Sequence, residues 1–143
     1  KEACAILEEA FDYAEQDQKV MMKARRFKFL ASLLFAVFAI FQYNDIDPWL
    51  WIFIYGGISI LCSVSAFRKI PMSLLSLSIL GIFIYTVLLV PEIISWINAG
   101  MPSIAESMKA EDPYIEYARE FFGLVISLLV LFGLLKTNQK VTK

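Results

Sequence analysis

Histidine is absent from this chain. Its absence removes the commonest general base and the commonest protein ligand of zinc and haem. There are only two cysteines, Cys4 in a charged stretch and Cys62 inside an apolar run. Two thiols in such unlike surroundings suggest neither a metal cluster nor a structural disulfide, so no metal and no cofactor is expected. An excess of charge is missing too. The net charge is −1, so nothing points to a nucleic-acid partner. Finally, charge is scarce in the middle of the chain. Most of it lies in residues 1–28, in residues 136–143 and in a few short connections. A soluble domain of this length needs a charged shell around one modest core, and this sequence supplies none.

What is present instead is apolar. Of the 143 residues, 59% are hydrophobic and 15% aromatic, with a mean hydropathy of +0.64. Four apolar segments cover about 27–42, 49–67, 70–90 and 117–135, against the roughly 20 residues that a membrane-spanning helix needs. The first is short unless its helix runs back through Lys28 and Arg26, whose long stems can reach the interface. "SLLFAVFAIF" and "LVISLLVLFGLL" carry no polar face beyond single serines, so lipid suits them better than water does. The predicted fold is all-α: an integral membrane four-helix bundle over 27–137, preceded by a polar amphipathic helix over 1–26 and followed by a basic tail over 138–143. In the leading helix Cys4, Leu7, Phe11 and Ala14 recur at three- and four-residue spacing, interrupted at Gln18. Leu7 and Phe11 are the candidate partner-docking residues. The charged opening stretch does not resemble a cleavable signal peptide.

Basic residues set the expected orientation. Lys19, Lys23, Arg25, Arg26 and Lys28 precede the first segment, Arg68 and Lys69 join the second to the third, and Lys136, Lys140 and Lys143 follow the fourth. With four crossings these share one side, and only Lys109 and Arg119 lie opposite. Positive charge is retained on the cytoplasmic side. The expectation is therefore an integral membrane protein of a bacterial inner membrane, or its equivalent, with both termini cytoplasmic.

The opposite, outer side carries the polar motifs. In "FQYNDIDPWLW" (residues 41–51), Pro48 suits the first position of a helix because it has no N–H to leave unpaired. Asp47 is placed to cap that helix, and Asn44 to close the preceding one in a left-handed conformation. The third helix is expected to continue past Pro91 with a kink, and "PSIAESMKA" to form a short interfacial helix from Pro102. Trp49, Trp51 and Trp96 lie near this boundary as interfacial aromatics. "EDPYIEYAREFFG" opens the last segment and places Arg119 and Glu120 where lipid should begin, at a cost unless they turn inward. Together these residues give a candidate outer-face polar site of Asn44, Asp45, Asp47, Tyr55, Arg119 and Glu120. It reads either as a ligand site or as a network that locks the helix ends. The glycine and distal glutamate of a calcium loop are missing. Ser32, Ala36 and Ala39, then Gly56, Ser59 and Ser63, then Gly81 and Gly123 mark expected close helix contacts.

"QYNDIDPWLWIFIYG", with "EYAREFFGLVI" opening the last helix, resembles the transmembrane protein 220 family over roughly 27–135. The family usually has proline between the two acids of the first motif, where Ile46 stands here. The resemblance implies a small polytopic membrane protein, of a kind found in bacteria and animals, with no established activity. The functional expectation is a non-catalytic binding or accessory subunit of a membrane complex, with the lipid bilayer and a membrane-protein partner or a second copy as its contacts. The alternative is a membrane enzyme or lipid- or ion-binding protein, with Glu120 or Asp45 as acid or base and Arg119 as an anion clamp. A transporter would need broken helices or polar groups at mid-membrane, and the serines alone argue weakly for one.

Overall fold

The computed structural model describes residues 2–44, 47–105 and 113–140. Among them the chain is all-α, with no strand. Helix α1 spans Glu2–Phe41 and is followed by a 3-10 turn, Gln42–Asn44. Then come α2 (Pro48–Ser65), α3 (Met72–Leu88), α4 (Val90–Asn98) and α5 (Pro113–Lys140).

No proline or glycine occurs between Glu2 and Phe41, and the polar and apolar halves of that stretch form one rod. There is no backbone break at the 26/27 boundary. At its standard rise a helix of 40 residues is roughly 60 Å long. Similarly, α5 runs on past the expected end of the last span to Lys140.

Helix α2 begins with Pro48 as its first residue and Asp47 at the N-cap position, as the sequence indicates, but the Asp47 side chain makes no capping bond. Proline's preset backbone starts the helix without it. Asn44 ends the 3-10 turn rather than adopting the left-handed conformation. Among the described residues that conformation occurs at Gly100 (φ 86°) and Met101 (φ 54°), just beyond α4. The helix is interrupted at Leu89, two residues before Pro91. The Leu89 N–H is shared between the carbonyls of Tyr85 and Thr86, both at 3.3 Å, and the ladder resumes with the Glu92 and Ile93 N–H groups on the Leu89 carbonyl. Pro91 has no N–H to offer the Val87 carbonyl, which is what separates α3 from α4. Met101–Ala105 carry no helix, so the short helix expected from Pro102 does not start there. Residues 106–112 lie outside the described residues.

Helices α1 and α2 form an antiparallel pair. Lys28 meets Ser65 at one end, Ser32 reaches both Ser59 and Ser63 in the middle, and Phe35 and Phe38 pack on Tyr55 near the other. Serines allow two backbones to approach and bond across the gap. Helix α5 is central and touches the other four helices. Its inner face is a stripe of Ile115, Ala118, Leu124, Ser127, Leu131 and Leu134, at the three- and four-residue spacing of one helix side. The buried Ser127 hydroxyl is satisfied by the Gly123 carbonyl four residues back.

The small residues divide. A side chain at Gly123 would run into the Tyr55 hydroxyl, and one at Gly133 would meet the Phe27 ring at 3.2 Å, whereas Gly56 and Gly81 face open space. Gly81 lies beside a groove of about 410 Å³ between α2 and α3, two helices whose backbones stay apart and that meet through the rings of Trp51 and Tyr85.

Phe53, Ile60, Leu77 and Leu129 are all exposed, where a soluble protein would place charge. Such a surface is at rest only in hydrocarbon. Three helical stretches are long and apolar enough to cross a membrane: Pro48–Ser65, Met72–Asn98 and Pro113–Asn138. The apolar part of α1 is shorter than these and runs alongside α2.

Candidate functional site

The candidate polar residues come from the connection between α1 and α2, from α2 and from α5, and one pocket takes only some of them. Tyr55, Arg119 and Glu120 line one pocket of about 280 Å³ with Gln42, Glu116 and Gly123. Phe38, Phe41, Phe122, Ile104 and Ile126 supply its apolar walls. Asn44 and Asp47 are exposed and do not line it, and Asp45 lies outside the described residues. Asn44 and Asp47 therefore do not share this pocket with Arg119 and Glu120. Asn44 and Asp47 sit where the chain turns, and the pocket lies further in.

Tyr55 reaches the pocket because it shares an inner face with Trp51, Ile58, Cys62 and Ser65, spaced four and three residues apart. Its ring lies against Phe35, Phe38 and Trp51, and its hydroxyl points at the bare backbone of Gly123. Glu120 lies just inside α5 and accepts a hydrogen bond from the Trp51 indole N–H at 3.0 Å. This bond joins α2 to α5 across 69 residues of chain. Arg119 donates from Nε to the Ile104 carbonyl at 3.2 Å, tying the segment after α4 to the start of α5. Tyr55, Glu116, Arg119 and Glu120 all take part in such interactions. Glu120 and Arg119 are thus each tied to a neighbouring element, as ionisable groups at membrane depth need to be.

The three tryptophans behave differently. Trp49 is 80% exposed and Trp51 1%. Trp96 is half-buried, donates its N–H to the Pro102 carbonyl at 3.0 Å and meets Phe122 edge-on. Trp51 was grouped with the boundary aromatics, but it faces inward, stacked on Tyr85 with ring centroids 5.8 Å apart. Sequence reasoning missed it as a partner of Glu120. Its spacing from Tyr55, Ile58 and Cys62 was the available signal.

Chemically, the pocket offers two carboxylates, one guanidinium and one phenol beside apolar walls. Such a set can hold a small polar or charged group.

A family model described as "Transmembrane family 220, helix" matches residues 34–136. That stretch runs from the apolar half of α1 to near the end of α5 and includes every described residue of the pocket. No curated protein and no solved structure matches the chain.

Proposed function

The chain belongs to transmembrane family 220, and from that membership and the fold we propose that it is a binding or accessory subunit of a membrane complex, without chemistry of its own. The carrying observation is the first half of α1. From Ile6 to Lys23 every residue is exposed, and Leu7 and Phe11, at 59% and 73% exposure, present apolar surface to water. This half also precedes the family match, so it is not part of what the membrane-embedded region requires. A helix that has no tertiary packing of its own, yet carries an apolar stripe, is suited to recognition through its i and i+4 residues.

Four crossings fit this reading. The apolar half of α1 runs alongside α2 from Ser65 to Tyr55 and so traverses most of the depth that α2 does. Both termini then share the basic side, and positive residues belong on the cytoplasmic face. Replacing Leu7 and Phe11 together by aspartate should abolish co-purification of the partner. Because both side chains are exposed, thermal stability should stay within about 0.5 kcal/mol. Unchanged co-purification would overturn the docking role.

A second reading, a lipid- or ion-binding or catalytic protein, is favoured by the outer cavity itself. It requires a small charged ligand that lies against Arg119 and Glu120. A native preparation with such a molecule beside those residues would support it, and an interior filled only by the protein's own bonds would count against it.

A further inference from the structure

A second cavity, of about 460 Å³, opens at the other end of the molecule. Helix α1 forms one wall, the turn between α2 and α3 another, and the end of α5 the third. Arg25, Lys28, Arg68 and Lys69 all line it, and no acidic residue does. None of these four cations is in an ion pair among the described residues.

Lys28 is 7% exposed. Its ammonium donates to the Ser65 carbonyl at 2.9 Å, a neutral acceptor that uses one of its three N–H donors. A buried ammonium held by a single carbonyl lacks the counter-charge that buried ions require. The Arg25 guanidinium lies over the Phe67 ring at 4.9 Å and the Phe29 ring at 5.8 Å. These ring contacts attract the cation without a carboxylate, so its N–H donors can still meet a planar or tetrahedral anion. The turn that carries Arg68 and Lys69 is tied to the end of α5. Asn138 donates to the Ile70 carbonyl at 2.8 Å and accepts from the Ile70 N–H at 3.3 Å. The rim is apolar as well as basic, with Met21, Met22 and Phe67 exposed on it.

We propose that this cavity binds the phosphate headgroup of an anionic phospholipid. Arg25, Arg68 and Lys69 surround the phosphate and Lys28 lies beneath it. The apolar rim selects a lipid over a free phosphate, because an acyl chain leaving the cavity covers Phe67 and Phe29 while the headgroup stays at the interface. A basic pocket between helices at the membrane surface is the general form of such a site. The inference concerns the end of the molecule opposite the outer pocket and does not depend on partner docking by α1.

The test uses the full chain in zwitterionic detergent, with phosphatidylglycerol or phosphatidylcholine added and binding read by native mass spectrometry. The unaltered protein should retain phosphatidylglycerol in preference. The triple variant Arg25→Gln, Arg68→Gln, Lys69→Gln should bind it roughly a hundredfold more weakly, the scale expected for three basic contacts. A control removes three charges from the same end but outside the cavity: Lys23→Gln, Arg26→Gln, Lys136→Gln. It should keep most of the binding. No headgroup preference in the unaltered protein would overturn the proposal, and so would equal loss in the control, which would mark diffuse attraction. Displacement of the lipid by millimolar inorganic phosphate would likewise overturn it, as the site would then be one for soluble anions. The preference of the unaltered protein decides the question even if the triple variant fails to fold.

Discussion

At Gly123 the backbone of α5 lies directly beneath the hydroxyl of Tyr55, and the pocket that Arg119 and Glu120 line is built on that contact. Gly123→Ala should destabilise the protein by about 1–3 kcal/mol, the range for overpacking a filled site. Tyr55→Phe removes the atom that the new methyl group would strike. The cost of Gly123→Ala should therefore be smaller in the Tyr55→Phe background, and equal costs in thermal unfolding would contradict the contact. The neighbouring bond gives a second test. Glu120→Gln keeps an oxygen for the Trp51 N–H and should be mild. Glu120→Ala strands a buried donor and should cost about 1–3 kcal/mol. Equal stability of the two variants, measured by unfolding in one detergent, would contradict that role for Glu120. Neither contact was fully legible in the sequence. Tyr55, Arg119 and Glu120 could be picked out by type and position. That Trp51 faces Glu120 depends on how α2 and α5 rotate about their axes, and a spacing pattern records rotation only relative to its own helix.

Among the elements, the turn between α2 and α3 depends on a residue 68 positions away. Asn138 satisfies both backbone groups of Ile70, as an amide can with its separate donor and acceptor. Asn138→Leu should leave both groups unpaired, lower stability by about 2 kcal/mol or more and raise hydrogen exchange at the Ile70 amide. Unchanged protection there would mean that the clasp is not what holds the turn. Local punctuation was readable in the sequence. Pro48 starts α2 and Pro91 divides α3 from α4 because proline's missing N–H acts whatever surrounds it. The left-handed conformation given to Asn44 and the capping bond given to Asp47 did not hold, since both depended on a turn geometry that the 3-10 segment replaced. The clasp by Asn138 and the bond from Lys28 to Ser65 were illegible. A side chain's distant partner is fixed by packing and leaves no mark in nearby sequence.

Over the whole molecule, the polarity is inverted relative to a soluble bundle. Long apolar side chains face outward along α2, α3 and α5, and charge collects at the two ends. This much was plain from hydropathy alone, because bilayer thickness sets helix length and lipid leaves no polar face to hide. The two ends differ in kind. One carries a mixed-charge pocket beside the bonds from Trp51 to Glu120 and from Arg119 to the Ile104 carbonyl, and the other a basic cavity. Placed on opposite sides of a bilayer, they meet different aqueous phases and different lipid headgroups. Both the docking of α1 and the orientation of the two cavities rest on that placement.

Threading can be measured directly with single cysteines at Asn44 and Lys136, each introduced with Cys4 and Cys62 replaced by serine and labelled by a membrane-impermeant maleimide in sealed vesicles of known orientation. Asn44→Cys should react only from the outer phase and Lys136→Cys only from the cytoplasmic phase. Native Cys4, tested alone with Cys62→Ser, should react from the same phase as Lys136→Cys. Labelling of Asn44→Cys and Lys136→Cys from a single phase would contradict the account.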